Sequence, residues 1–392
     1  MMLNSKLESN EFLATVRDIS GKGLGVLDLP DGKVLFVPGV WPGDHGRFEP
    51  IKMHKNYGFG RLVELIEKSP QRTTPPCPHQ GHEAGKCGGC PWMIASYDSQ
   101  LFYKQKLVQS QLERAKVISP STRILEIASC SQPYGYRNRI QVKSNGTSIG
   151  FVSSESKNFA PISDCLIMNK KMRSILASLI NQLPNRQWNP KEGFLWSFLE
   201  FDDAMNPASI IPNQKIPFRQ ANDEQNDLMK SLTRTWASSL DPRLPLIELF
   251  CGSGNFTEIF SGLSFSQVFA GENGQEAIEQ LAKKKLPGVS CERLDLYRKK
   301  NWNSIRRWSQ SPQYLFLDPP RGGFPQIDQF CSEFPSLQNM MYISCDLHAF
   351  AADAKKLTSR GWNLQTVQPV DQFPHTPHIE LVAEFHRESS QS

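Results

Sequence analysis

One run limits the architecture more than any other stretch of the chain. Leu246-Ile247-Glu248-Leu249-Phe250-Cys251-Gly252-Ser253-Gly254-Asn255-Phe256 reads as a strand that passes through a short glycine loop into a helix. Val268–Ala270, Tyr314–Leu317 and Met341–Ser344 are further short apolar runs, each followed by loop residues and a plausible helix. Strands alternating with helices in this way predict an α/β domain built on a doubly wound parallel sheet. In such a sheet ligands sit beyond the carboxyl ends of the strands, and the two glycines let a backbone approach one closely. Glu272, 18 residues after Gly254, ends the next predicted strand and suits a ribose diol. The loop lacks the third glycine of a dinucleotide fold, which tilts the ligand towards S-adenosylmethionine. The bland alternative is a glycine turn in an ordinary α/β sheet.

The α/β pattern begins near residue 216, and 392 residues leave room for two to four domains. Residues 12–67 carry short apolar runs (Phe12–Val16, Gly25–Leu29, Val34–Val37, Arg61–Leu65) broken by Gly, Pro and Asp, with Pro30-Asp31-Gly32 where a hairpin turn is expected. Five short strands at this spacing predict an OB-like β-barrel, used for oligonucleotides or for protein contact. Residues 68–78, with Ser69-Pro70 and Pro75-Pro76, read as a linker. Helical periodicity with basic faces covers 98–117, strands broken at Asn145-Gly146 cover 134–168, and a helix with apolar Met172, Ile175, Leu176, Leu179 and Ile180 follows. The division expected is 1–70, 71–215 and 216–392.

The charge is concentrated. The chain carries +5, yet residues 99–175 hold twelve Lys and Arg against four acids. A basic segment inside a near-neutral protein fits a polyanion surface, or equally a solvated helix face. No apolar run approaches a membrane span, and Met1–Asn10 has no apolar signal core, so a cytoplasmic protein is expected.

Nine cysteines in a reducing compartment read as ligands, nucleophiles or core residues rather than disulfides. Cys87-x-x-Cys90 with Cys77 upstream is tight ligand spacing, and Cys165 is the best fourth candidate. Four thiolates suit a 4Fe-4S cluster or a structural zinc, and His79 and His82 in the loop make a mixed zinc site the rival. An incidental or redox Cys-x-x-Cys ranks below both.

Asp318-Pro319-Pro320-Arg321 follows a predicted strand, and Cys345 in Ser344-Cys345-Asp346 ends the next. Both belong at the carboxyl edge of the sheet, where a thiol beside polar groups can act as a nucleophile. Val370–Glu380 then groups His375 and His378 with Asp371 and Glu380. Glu380 is either an ordinary strand-end acid or a general base for the thiol.

Taken together, these residues resemble the RNA uracil-5 methyltransferases, in particular the iron–sulfur branch typified by the 23S rRNA enzymes, over nearly the whole chain. The N-terminal barrel resembles a TRAM domain. Cys77, Cys87, Cys90 and Cys165 resemble the 4Fe-4S ligands, with a longer Cys77–Cys87 loop than usual. Tyr136-Arg137-Asn138-Arg139 resembles a central-domain motif. Phe218-Arg219-Gln220-Ala221-Asn222 resembles the family's Phe-Phe-Gln-x-Asn, with arginine for the second phenylalanine. The Phe250–Asn255 loop, Asp318–Arg321, Ser344-Cys345 and Phe373–Glu380 follow in the family's order. One departure stands at the nucleophile: Ser344-Cys345-Asp346-Leu347 replaces Ser-Cys-Asn-Pro, and an inward-pointing carboxylate there would raise the thiol pKa.

The resemblance implies a class I (Rossmann-like) methyltransferase domain, a TRAM barrel and a central α+β domain carrying a cysteine-ligated cluster. It implies S-adenosylmethionine contacts from Gln220, Phe250, Asn255, Glu272, Asp295 and Asp318, with Cys345 as nucleophile and Glu380 as base. Uracil C5 is a poor nucleophile until a thiolate adds at C6, and a base must then remove the C5 proton so that the thiol can leave. The target would be a flipped or single-stranded uridine of 23S rRNA, held by the barrel and the basic segment, and a monomer is expected. tRNA is the rival substrate. A non-catalytic RNA-binding or assembly protein and an iron–sulfur redox protein are the rivals of another class.

Overall fold

A computed structural model of the protein describes residues 11–153 and 158–387. Met1–Asn10, Glu155 and Lys157 of the basic segment, and the polar tail beyond Arg387 lie outside the described residues.

Six strands form the N-terminal sheet: β1 (Phe12–Thr15), β2 (Asp18–Ile19), β3 (Gly25–Asp28), β4 (Val34–Val37), β5 (His45–Met53) and β6 (Tyr57–Glu67). Their order is β1-β5-β6-β4-β3-β2, so two strands consecutive in the chain occupy opposite ends of the sheet. The sheet therefore curls round a core of Val16, Leu27, Leu35, Val37, Val40 and Phe48. The hairpin at Pro30-Asp31-Gly32 is present, with Gly32 at φ 79° closing the β3–β4 turn. The 68–78 stretch is not a free linker. The fully buried carboxylate of Asp44 accepts hydrogen bonds from the backbone of Trp41 and Ser69 and pairs with Arg72 at 2.5 Å, which binds the stretch to the barrel.

Helix α1 (Tyr97–Ala115) and the short β7 (Arg123–Ile124) follow. Ser96 caps α1 through the Ser99 backbone N–H. The next unit is an antiparallel sheet of β8 (Arg139–Ser144), β9 (Ile149–Val152), β10 (Phe159–Pro161) and, beyond α2 (Lys170–Ile180), β11 (Ser197–Asp202), in the order β10-β9-β8-β11. Asn145 makes the β8–β9 turn by accepting from the backbone of Thr147 and Ser148, and Gly146 supplies φ 83°. One face of α2, with Met172, Ile175, Leu176 and Leu179, packs on Ile140, Val142 and Leu199 of the sheet.

The C-terminal unit comprises α3 (Asp223–Ser238), β12 (Leu246–Leu249), α4 (Thr257–Gly262), β13 (Val268–Glu272), α5 (Gln275–Lys283), β14 (Val289–Arg293), α6 (Asn303–Trp308), β15 (Tyr314–Leu317), α7 (Ile327–Glu333), β16 (Asn339–Ser344), α8 (Leu347–Thr358), β17 (Asn363–Val370) and β18 (Glu380–His386). The sheet order is β14-β13-β12-β15-β16-β18-β17-β7. The first five strands are parallel and β18 runs against both its neighbours. Strand order reverses at β12, the position where doubly wound sheets bind ligands. Helix α1 and β7 join this sheet rather than the 139–202 sheet. β7 pairs with β17, and Val108 and Leu112 of α1 lie in the same core as Leu315, Tyr342 and Leu364.

The basic segment is less exposed than its composition suggests. Lys104 is fully buried against Asp371, Lys106 pairs with Asp18, Arg139 with Glu200 and Arg173 with Asp164. Four of the twelve cations are thus tied to acids, three of them supplied by other parts of the chain. No helix among the described residues is long and apolar enough to cross a membrane.

Candidate active site

The carboxyl ends of β12, β13, β15 and β16 bring Phe250, Glu272, Asp318 and Cys345 to one edge of the sheet. Because β18 runs the other way, its first residue, Glu380, starts at that same edge. Ser344 pairs with Leu381, so one further step along each strand sets Cys345 beside Glu380.

These groups act on one another. Burial pushes the Cys345 thiol up to about 12, and the neighbouring Glu380 and Asp318 carboxylates add to the shift against Arg321. Burial, with Asp318 beside it, holds Glu380 well above the usual carboxylate range. Asp318 is raised to about 7 by burial and by Glu272. A thiol and a carboxyl that both prefer to be neutral hold one proton each, and once the pair has lost one the other can pass between them.

The substitution at the nucleophile does not act as its position suggested. The carboxylate of Asp346 accepts from the backbone N–H groups of His348 (3.0 Å) and Ala349 (2.8 Å) and caps α8. Two donors at a helix N-terminus hold it, and burial, Glu380 and Asp318 are the leading groups that raise the thiol.

The glycine loop has the geometry of a cradle. Phe250, Gly252 and Gly254 all adopt positive φ (62°, 55° and 93°), and a Cβ on Gly252 would meet nothing within 4 Å. Glu272 spans the loop, accepting from Gly252 N–H (3.2 Å) and Gly274 N–H (2.7 Å). Tyr297 places its ring 5.9 Å from Phe250, which forms an aromatic wall with Phe324. Asp295 pairs with Arg298 and accepts from the backbone N–H of Tyr297, the residue that stands against Phe250. Asn255 exchanges hydrogen bonds with Asn226 of α3. Gln220 accepts from Gln372, in the segment that leads into Glu380. An open, positive-φ loop flanked by a carboxylate and an aromatic wall fits a nucleoside with a diol, so the residues present suit S-adenosylmethionine.

Three features escape sequence reading. Glu248, inside the apolar β12, is 0% exposed, and burial raises it to about 8 against the Thr257 hydroxyl beside it. Its signal was an acid in an otherwise apolar strand directly before the glycine loop. Arg321 reads in sequence only as part of a motif, yet its charge acts on both Cys345 and Glu380 and favours their ionised forms. The third is a buried network. Lys104 of α1 pairs with Asp371 and donates to Phe373 O (3.1 Å), Tyr97 donates to Asp371 (2.7 Å), and Gln100 accepts from His375 N–H (2.9 Å). Helix α1 thereby holds the segment that ends in Glu380.

Cys77, Cys87, Cys90 and Cys165 line one small cavity, with Met93, Phe151 and Ile167 around them. Burial pushes Cys165 up to about 11, with Cys87 and Cys77 adding to it, and raises Cys90 further, with all three other thiols contributing. Among the described residues, no three His, Cys, Asp or Glu side chains converge closely enough to hold a single metal ion. His79 is engaged by Ser163 through both backbone and hydroxyl, and His82 packs against Gly39 outside the cavity. His79 nevertheless lines the cavity, and among the described residues both ring nitrogens of His82 lack a hydrogen-bond partner.

A profile of the tRNA (uracil-5-)-methyltransferase family matches residues 209–387. An uncharacterized RNA methyltransferase of Nitrosomonas europaea is 40% identical over 381 residues, which cover 96% of this chain and 97% of the relative. The 23S rRNA (uracil(1939)-C(5))-methyltransferase of Francisella tularensis subsp. holarctica is 26% identical, with 98% of each chain covered. The crystal structure of the Pyrococcus abyssi tRNA (uracil-54, C5)-methyltransferase, in complex with S-adenosyl-L-homocysteine, superposes with a TM-score of 0.66 at 20% identity. That likeness covers 95% of this chain and 100% of the other, and it shows a shared fold. The chain belongs to the RNA uracil-5 methyltransferase family and is an RNA (uracil-5-)-methyltransferase.

Proposed function

We propose that the protein methylates C5 of a uridine in 23S rRNA, using S-adenosylmethionine and a covalent bond from Cys345 to C6. The observation that carries this is the Cys345–Glu380 pair at the sheet edge, beside the Phe250–Asp318 cleft. Gln220, Phe250, Asn255, Glu272 and Asp318 would hold the cofactor, with Asp295 acting through Tyr297. When bound, it supplies the methyl group and a positive charge close to the thiol. Cys345 and Glu380 each give up a proton to solvent, and the Cys345 sulfur bonds to C6, moving electron density to C5. Glu380 later takes the C5 proton, and the S–C6 bond breaks to restore the ring and the thiolate. Arg321 offsets the negative charge while both groups are ionised. The 26% identity to the Francisella rRNA enzyme, against 20% to the Pyrococcus tRNA enzyme over a similar span, favours rRNA over tRNA.

We read the N-terminal sheet as a TRAM-like barrel and the four cysteines as ligands of a 4Fe-4S cluster. A four-iron cube takes each thiolate at a different corner, which suits four sulfurs set around a cavity better than one zinc does. The cluster is structural, since methyl transfer needs no electron. Its loop leads directly to Trp92, whose backbone N–H donates to His375 O (3.0 Å), and Tyr136 beside it donates to Pro374 O (3.3 Å). We place the breaks between units near residues 70 and 215, with α1 and β7 of the middle stretch packed on the third unit's sheet.

The test is methyl transfer from labelled S-adenosylmethionine to unmodified 23S rRNA and tRNA transcripts, with anaerobically purified protein and nuclease mapping. Labelled 5-methyluridine in 23S rRNA is expected. Cys345→Ala should abolish it, and Glu380→Gln should accumulate an RNA–protein adduct that survives denaturing gels. Label only in tRNA would move the substrate, and full activity of Cys345→Ala would remove the covalent route.

A further inference from the structure

Asp353 is buried in the middle of α8, on the face where Phe350, Ala354 and Leu357 join the core. An apolar residue would pack there at lower cost, so an acid points to a requirement for the partners it holds. Its Oδ2 accepts from Phe324 N–H at 2.6 Å and from the Tyr342 hydroxyl at 2.8 Å, and Lys356 lies 3.7 Å from Oδ1. Burial raises this carboxyl, and the three partners work against the rise. Tyr342 stands on β16 just before Cys345, and α8 starts just after it. Asp353 therefore joins the elements on both sides of the nucleophile to the loop beyond β15.

That loop carries Arg321. Gly323 N–H donates to Pro320 O (2.8 Å) and closes a turn with Arg321 and Gly322 at its corner. Gly323 takes φ 67°, and a Cβ there would lie 2.5 Å from Asp353 Oδ2, so the turn rests directly on the carboxylate. Tyr297 donates to Gly323 O (3.1 Å), and Lys356 donates to Pro325 O (2.6 Å). Arg321 itself is exposed, so the turn decides where its guanidinium stands. Its charge reaches Cys345, Glu380 and His378. If the turn moved outward, solvent would screen that charge from the pair.

We propose that Asp353 is a positioning residue for the methyl transfer: by tying the Pro320–Phe324 turn to α8 and β16, it sets Arg321 against the Cys345–Glu380 pair. Asp353 acts through Arg321 and touches neither substrate nor cofactor. The proposal rests on the reading of Cys345 as the nucleophile, and it adds what fixes the cation that favours the thiolate.

The test is a double-mutant cycle on the full chain with two readouts. The first is alkylation of Cys345 by iodoacetamide at about pH 8, without RNA, followed by mass spectrometry. Arg321→Gln removes a charge that favours the thiolate, so alkylation should slow about three- to tenfold, the latter being one unit of thiol pKa. Asp353→Ala should slow it about as much, and Arg321→Gln/Asp353→Ala no more than either alone. Asp353→Asn keeps an oxygen for Phe324 and Tyr342 and should restore the parent rate. Gly323→Ala, whose Cβ would push the turn off the carboxylate, should repeat the Asp353→Ala result. A loosened fold acts in the opposite direction, because an exposed Cys345 loses the burial that raises it and is alkylated faster. The second readout is kcat for methyl transfer, which Asp353→Ala should lower about ten- to a hundredfold, as misplacement of a charged group by about 1 Å does. Unchanged or faster alkylation in Asp353→Ala and Gly323→Ala, or losses that multiply in the double variant, would overturn the proposal and confine Asp353 to the fold. Alkylation is read without turnover, so full activity of Cys345→Ala would count against the covalent route and not against the placement of Arg321.

Discussion

At Asp346 the carboxylate turns from the thiol next to it because two backbone N–H groups at the start of α8 hold it more firmly than solvent would. Asp346→Asn keeps an acceptor at the cap and should leave methylation unchanged. Asp346→Ala should cost about 1 kcal/mol in thermal denaturation, the usual value of such a cap. A large rise in activity of either variant would mean that the carboxylate faces the thiol after all. The thiol is raised by burial first and by Glu380 next, so in the RNA-free protein it is protonated at neutral pH. Only the thiolate is alkylated. Modification of Cys345 by iodoacetamide, followed by mass spectrometry, should therefore rise about tenfold per pH unit between about pH 7 and pH 10 without levelling. A plateau near pH 8 would mark an ordinary thiol. Residues of this kind were legible by type and spacing; their directions were not. Arg219, which departs from the family pattern, is equally explained only in space, where it joins Asp203 after β11 to Asp223 of α3.

Among the elements, those whose faces alternate cleanly could be read from the chain, and those with mixed faces could not. The apolar runs at Leu246–Leu249 and Tyr314–Leu317 are strands buried throughout, and the α2 stripe packs as its spacing requires. β5 was missed because Phe48 is the one large apolar side chain it turns inward, amid Arg47, Glu49 and Pro50. In α1 the period was clear and its meaning was not. Lys104 reads as one more surface cation, yet it is 0% exposed and pairs with Asp371 some 267 residues away. No local pattern reveals a partner that distant. Removing one member of a buried pair strands the other charge, at a cost of roughly 3–5 kcal/mol. Lys104→Met should lose that much in denaturant unfolding, and Lys104→Met/Asp371→Asn should recover part of it. If Glu380 is set by this anchor, Lys104→Met should also accumulate the covalent RNA adduct, as Glu380→Gln does. A variant that loses stability with adduct levels unchanged would confine the pair to the fold.

On the scale of the whole molecule, the three sheets are tied together at the site. The barrel's Gly21–Gly23 turn meets His348 and Pro377, and the loop beyond Cys90 reaches His375 through Trp92. Anaerobic protein should carry about four irons per chain. Cys90→Ser should lose them, keep S-adenosylmethionine affinity within a few-fold and lower methylation at least tenfold. Iron-free protein that methylates normally would remove the cluster from the positioning of Glu380. The parallel sheet and its edge were legible because strand, loop and helix repeat in order, whereas the recruitment of α1 and β7 to that sheet left no mark in the chain.

That recruitment bears on how the protein is made. Thr122 bonds to Leu364 across 242 residues, so α1 and β7 leave the ribosome long before the sheet they complete exists. At 5–20 residues per second the interval is roughly 10–50 s. For that time the apolar face of α1 has no permanent cover, and the last strands to emerge must find an early helix already docked to the barrel. The catalytic half can therefore close only after β17 and β18 have emerged.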